Sequence, residues 1–268
     1  MSSLPKPLSV AFVGKGGSGK STISGTFARL LARSGEPVLA LDSDPMPGMP
    51  YALGVPIDRG SIPDDAVVEG VVSGPRWVLH PALDAETVIE RYAAVCPDGV
   101  RYLQFGNLNG HISMLQRSQH AWSQVVREVD VARWHLVGDL PGGTRQAMSG
   151  WAKYADMVCV VVEPTTKSIH TARRLVNLST ASWAPRSVLL VANKVADADD
   201  VTRIEERLEH RVVGIVPGES DILAGDREAL APLDAAPDGT FVTAVHQLVD
   251  RLAALNYAGH EIAAGEVY

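Results

Sequence analysis

The stretch Gly14-Lys15-Gly16-Gly17-Ser18-Gly19-Lys20-Ser21-Thr22 constrains the fold of this chain more than any other. It has the spacing G-x-x-x-x-G-K-[S/T] of a phosphate-binding loop. Its glycines let the backbone wrap an anion with N–H groups pointing inward. A side chain at Gly16, Gly17 or Gly19 would crowd the phosphates or forbid the dihedrals the loop needs. Before it, Ser9-Val10-Ala11-Phe12-Val13 is a short apolar run suited to a buried parallel strand. After it, Ile23, Phe27, Leu30 and Leu31 recur on one face of a helix, and Gly35 closes that helix. A strand feeding a glycine loop into a helix aims the positive end of the helix dipole at the same anion. Lys20 is expected to reach the β- and γ-phosphates of a nucleoside triphosphate. The Ser21 hydroxyl is expected to coordinate Mg²⁺, with Gly16, Gly17, Ser18, Gly19 and Thr22 completing the cradle.

Beyond the loop, short apolar runs alternate with helical patterns. Candidate strands are Leu8–Val13, Val38–Leu41, Arg101–Phe105, His135–Val137, Met157–Val162, Val188–Ala192 and Val212–Val216. Candidate helices are Lys20–Arg33, Ala85–Ala94, Ser113–Val129, Ile169–Thr180, Val201–Glu209 and Thr240–Leu255. This alternation implies right-handed crossovers and an α/β class: a doubly wound, mainly parallel sheet flanked by helices, the P-loop NTPase architecture. In such a sheet the ligand sits at the carboxyl ends of the strands. The segment Pro45–Pro81 is rich in Pro and Gly and reads as loops and short strands over the nucleotide or dimer face. With no internal repeat, low-complexity tract or linker, residues 1–268 read as one domain. The tail Tyr257–Tyr268 is small and acidic and is expected to fray.

Three strand ends carry the polar residues a triphosphate site requires. Asp42-Ser43-Asp44-Pro45 places two carboxylates on one side of an extended segment, one suited to orient an attacking water and one to hold the Mg²⁺ shell. Asp139-Leu140-Pro141-Gly142-Gly143 sets a carboxylate before a glycine pair that can approach a γ-phosphate and move after hydrolysis. Asn193-Lys194 follows another strand. The N-K-x-D element of GTPases would need an aspartate at 196, where this chain has Ala196, so guanine selectivity is disfavoured. Adenine, with Asn193 on its edge, is the expected base.

Composition narrows the partners. A net charge of −7 and the lack of a dense Lys/Arg run disfavour nucleic acid. No apolar stretch approaches the ~18 residues of a membrane span, and the polar start Met1–Pro7 does not read as a secretory leader. Two cysteines, Cys96 before Pro97 and Cys159 inside an apolar strand, suggest no disulfide framework, and a cytoplasmic setting is expected.

Lys15, just after the first glycine, resembles the second lysine of the deviant phosphate loop in the MinD/ParA/nitrogenase-iron-protein group of ATPases, a SIMIBI-type fold. The resemblance implies a lysine that reaches across a dimer interface to the partner's nucleotide, hence an ATP-dependent homodimer. Asp42-Ser43-Asp44-Pro45 is similar to that group's D-x-D-P switch, which implies water positioning by Asp44 and support of Mg²⁺ or of the loop by Asp42. Asp139 resembles the Walker B aspartate that holds Mg²⁺ through water, and Val216-Pro217-Gly218-Glu219 the segment flanking base and ribose. Glu163-Pro164-Thr165-Thr166-Lys167-Ser168-Ile169-His170-Thr171-Ala172, Phe105-Gly106-Asn107 and Val191-Ala192-Asn193-Lys194 resemble elements of the ATPases that help nickel enter carbon monoxide dehydrogenase. That branch implies a metallochaperone-like action on a client metalloenzyme. This chain departs from it where the branch carries a C-x-C pair, for the matching positions are His111 and Ser113, suited to a polar dimer contact or a helix cap. A partitioning or positioning ATPase acting on DNA, membrane or a scaffold is the alternative reading, and a small-molecule ligase or kinase on the same core a third. Against a membrane role, the apolar residues Phe241, Val245, Leu248, Val249 and Leu252 of the last helix are expected to pack on the sheet.

Overall fold

In a computed structural model, the described residues are 7–71, 73–105, 112–143, 151–183, 185–218, 222, 225 and 227–257. The first half contains β1 (Ser9–Gly14), α1 (Lys20–Ala32), β2 (Val38–Asp42), α2 (Met49–Leu53), β3 (Val67–Glu69), β4 (Trp77–Leu79) and α3 (Ala85–Tyr92). Then come β5 (Ala94–Val95), β6 (Arg101–Gln104), α4 (Ile112–Glu128), β7 (His135–Asp139), β8 (Met157–Val162), α5 (Thr166–Leu178), β9 (Ser187–Val195), α6 (Ala198–Leu208) and β10 (Val212–Pro217). A short helix, Pro232–Ala235, and a long one, Thr240–Tyr257, follow.

Eight strands form one sheet in the order β10-β9-β8-β1-β7-β2-β6-β5, and every pair is parallel except β5 with β6. The alternating faces of the strands feed two cores. Ala11, Val13, Leu39 and Leu41 join residues of α3, α4, α5 and α6 on one side. Val10, Phe12, Val38 and Ala40 join α1 and the long last helix on the other. The central strands are therefore buried along their whole length, and β1 and β8 show no exposed residue. Phe241, Val245, Leu248, Val249 and Leu252 are all buried in the second core, as their spacing required.

Helix starts follow their caps rather than their apolar stripes. α5 begins at Thr166, ahead of the expected Ile169, because Thr165 Oγ1 accepts the Ser168 N–H. α6 begins at Ala198 because the Asp197 carboxylate accepts the Asp200 N–H. α4 spans Ile112–Glu128 and includes Ser113. His111, Gly106, Asn107 and the 258–268 tail fall outside the described residues. The irregular segment after Pro45 holds the helical turn α2 and the antiparallel hairpin β3–β4, in which Val67 faces Leu79 and Glu69 faces Trp77.

Candidate functional site

The carboxyl ends of β1, β2, β7 and β9 converge on the glycine loop. Gly17 and Gly19 take φ of 81° and 88°, the left-handed region that side chains disfavour. A Cβ at Gly19 would lie 2.2 Å from Asn193 Nδ2, so the close approach of β9 also requires glycine there. The Ser18 N–H closes a turn on Lys15 O at 3.0 Å. The first residue of α1, Lys20, is buried and brings Nζ to 3.8 Å from Asp139 Oδ1.

Asp139 is the last residue of β7 and fully buried, and among the described residues neither carboxylate oxygen has a partner at hydrogen-bond geometry, the Ser21 hydroxyl being its polar neighbour. Burial pushes its pKa up to about 6, against the pull of the Lys20 ammonium. An orphaned buried carboxylate beside a lysine and the Ser21 hydroxyl is a hard-oxygen donor set, and it fits Mg²⁺. Asp42 lies opposite Asp139 in register on β2 and is also fully buried. Its two oxygens accept the N–H groups of Asp44 at 3.0 Å and Met49 at 3.1 Å. Of the two roles expected of Asp42, these bonds perform the loop-holding one, and each oxygen keeps a further lone pair. Burial first, then the neighbouring Asp139 charge, raises its pKa well above the usual carboxylate range. Asp44 is half-buried on the same loop, where its Oδ1 accepts the Met46 N–H at 2.9 Å. Gly48 lets this loop close on the cradle, since a Cβ there would lie 2.8 Å from Ser21 Oγ.

The glycine pair after Asp139 rests directly on the phosphate loop. Gly143 N–H donates to Gly14 O at 3.3 Å, and a Cβ at Gly142 would stand 3.0 Å from Gly16 N. Lys15 behaves differently from Lys20. Among the described residues its ammonium reaches only a neighbouring carbonyl, Gly16 O at 3.3 Å, from a half-buried position.

A cavity of about 360 Å³ opens beside the loop, lined by Gly17, Gly19, Lys20, Ser21 and Thr22 and, across from them, by Gly48, Tyr51, Ala52, Lys194, Ile222, Ala229, Leu230 and Pro232. Asn193 donates Nδ2 to Ser18 O at 2.7 Å and is buried under the loop. Val216, Pro217 and Gly218 are not among the lining residues; the wall comes from the segment just beyond them. Tyr51 and Leu230 were missed because they belong to irregular stretches with no motif. Their one signal is exposure of large apolar side chains, 57% and 45%, which a sequence does not show.

One arginine ties the short helix Pro232–Ala235, whose first residue is part of this wall, to the segment around Asp98. Arg29 of α1, nearly buried, donates from Nη1 and Nη2 to the two oxygens of Asp234 at 2.7 and 2.8 Å, and from Nε to Asp98 Oδ2 at 2.8 Å. Cys96, next to this cluster in the chain, is buried, and burial pushes its thiol up to about 12, so it is no thiolate at neutral pH. Cys159 is buried in the sheet, and its thiol is likewise raised by burial.

Residues 10–233 match the CobQ/CobB/MinD/ParA nucleotide binding domain. The chain is 29% identical over 245 residues to the carbon monoxide dehydrogenase accessory protein CooC of Rhodospirillum rubrum, a match covering 86% of this chain and 91% of that protein. It is 24% identical over 226 residues to the light-independent protochlorophyllide reductase iron-sulfur ATP-binding protein of Heliobacterium modesticaldum, covering 80% of this chain and 72% of that one. Among solved structures, the septum site-determining protein MinD of Pyrococcus horikoshii, complexed with Mg-ADP, aligns with a TM-score of 0.69 at 16% identity, over 95% of this chain and 98% of that one. A ParA family ATPase from Chlorobium tepidum aligns with a TM-score of 0.70 at 16% identity, over 91% and 98%.

Proposed function

The chain belongs to the CobQ/CobB/MinD/ParA family of nucleotide-binding domains, and from that premise we propose that it closes into a homodimer around ATP and acts on a partner protein. It is an ATPase of the P-loop class. The finer reading rests on the contrast between its two loop lysines. Lys20 is buried against Asp139 within the chain's own site, whereas Lys15 is half-buried and, among the described residues, its ammonium meets only a backbone carbonyl. A cation held outside its own cradle suits the phosphates of a second copy, where it would stabilise charge that builds in the transition state.

Within one site the roles divide by geometry. Lys20 and the loop N–H groups hold the triphosphate. Ser21 and Asp139 would hold Mg²⁺, which when bound neutralises phosphate charge as the terminal group departs. Asp44, on a loop whose base is fixed by Asp42, orients the attacking water. Gly142 and Gly143, lying on Gly14 and Gly16, register the presence of the terminal phosphate and move when it leaves.

The client is proposed to be a metalloenzyme under maturation, by similarity to the accessory protein named above. The C-x-C positions of that branch are His111 and Ser113 here, so the action is one of switching the client rather than carrying its metal on paired thiolates. The test uses the purified chain with ATP and Mg²⁺. Asp44→Ala should bind ATP, turn over at least about 100-fold more slowly, and accumulate as a dimer by light scattering. That locked dimer should capture a metalloenzyme from its host that Lys15→Ala does not. Unchanged turnover in Asp44→Ala would remove the water-positioning role, and a wild type monomeric with ATP would remove the dimer.

A further inference from the structure

Two stretches 31 residues apart, around Glu163 and Lys194, meet over the phosphate loop. Lys194 Nζ donates to Glu163 Oε1 at 2.6 Å and to Gly17 O at 2.8 Å. Its neighbour Asn193 holds Ser18 O. Consecutive carbonyls of the loop are therefore gripped from outside by consecutive side chains of β9. To do so Lys194 adopts φ of 58°, a left-handed conformation that a residue with a side chain keeps only where its surroundings over-determine it. Glu163 is fixed in turn. Its N–H donates to Ser168 Oγ at 2.9 Å, and Ser168 is anchored by the Thr165 cap, so the first turn of α5 fixes the backbone from which the carboxylate reaches Lys194.

The consequence for the loop follows from peptide geometry. In a trans peptide the C=O and the next N–H point in opposite directions. Holding Ser18 O from the β9 side turns the Gly19 N–H toward the opposite side. Holding Gly17 O fixes the plane whose N–H closes on Lys15 O. A glycine-rich loop left alone would sample many such planes. Two of the three N–H donors of the Lys194 ammonium are taken by a carboxylate and a carbonyl, and the residue also lines the cavity.

We propose that Glu163 and Lys194 are positioning residues that hold the phosphate loop in its anion-receiving shape before ligand arrives. This rests on the reading of the loop as a phosphate site, and it assigns a physical task to two motifs that the hydrolysis machinery leaves unused. The task acts on the polyphosphate rather than on the base.

Equilibrium binding of ATP and of inorganic tripolyphosphate to the purified chain tests it, with wild type, Glu163→Gln, Lys194→Met and the double variant. Thermal melts without ligand identify any variant that fails to fold, and the near-isosteric Glu163→Gln keeps the test open if Lys194→Met does not. Lys194→Met should weaken both ligands about tenfold or more, the loss of a charge-assisted hydrogen bond. Glu163→Gln should weaken both in the same direction, and the double variant should bind no worse than Lys194→Met alone. Wild-type affinity in a folded variant overturns the proposal, as does a loss confined to ATP or an additive double variant. If the wild type binds neither ligand, the phosphate-loop reading has failed instead.

Discussion

Replacing Arg29 by methionine removes three charge-assisted hydrogen bonds while keeping most of the volume of the buried stem. Losing one partner of a fully buried ion pair costs about 3–5 kcal/mol. Here the arginine side chain is 3% exposed, but Asp98 is 19% and Asp234 is 43% exposed. Water can therefore resolvate the carboxylates in part, and Arg33 still reaches Asp98 at 3.1 Å. The discounted loss is about 2–3 kcal/mol. At about 2–4 °C per kcal/mol for a domain near this size, the melting temperature should fall by roughly 4–12 °C. The damage should also reach the nucleotide. Asp234 belongs to the helix that begins at Pro232, a wall of the cavity, and Gly54 at the end of α2 packs against the same cluster. The Km for ATP should rise several-fold with little change in kcat. Scanning calorimetry on wild type, Arg29→Met, Asp234→Asn and the double variant isolates the pair, with coupling expected between the two sites. The bond to Arg29 holds the Asp234 carboxyl below its usual range. Its stabilising effect is thus complete above an ordinary aspartate pKa of ~3.9 and is lost as pH falls through the lower folded value, so the gap between wild type and Arg29→Met should narrow there. A melting shift under about 2 °C, or additive single effects, would refute this account of the cluster.

Lys20→Ala should abolish ATP binding measured by calorimetry, and normal affinity would remove the phosphate assignment. Lys15→Ala should bind ATP as a monomer yet fail to dimerise with it; a variant that still doubles in mass by light scattering would refute the trans role. His135 accepts the Leu8 N–H on Nδ1 at 2.8 Å, and burial lowers its pKa. Below about 6.5 the unfolded chain takes up a proton that the folded chain refuses, so this part of the stability is full above that pH and declines as pH falls from it. His135→Gln should flatten the melting curve against pH between about 7 and 5, and an unchanged slope would show that His135 is not responsible.

The sheet and the cradle were legible because each depends on a local pattern. Met157–Val162 is a strand to the residue, since a continuous apolar run can be satisfied only in a covered parallel sheet. Gly17 and Gly19 needed no structure to be read, because left-handed backbone selects glycine. What stayed hidden depends on distance. Nothing local marks β5, a two-residue edge strand that exists only by pairing with β6. The motif at Asn193 does not reveal that its Nδ2 donates to a backbone carbonyl 175 residues earlier. The cavity wall at Tyr51 and Leu230 consists of residues whose only common property is where the fold brings them.

The sheet order has a consequence for how the protein is made. β1 carries the phosphate loop, and its two hydrogen-bonded neighbours are β7 and β8, pairing at Leu136–Asp139 and Met157–Val161. During synthesis β1 and the loop therefore emerge long before the strands that flank them: β1 has no partner until Asp139 has left the ribosome, and it gains the second only after Val161. Asp139 and the β9 side chains that meet the loop have yet to be translated at that stage. Such long-range pairing is slow to form and exposes strand edges while it waits. The nascent chain thus faces its greatest hazard of aggregation at the element that later performs its chemistry.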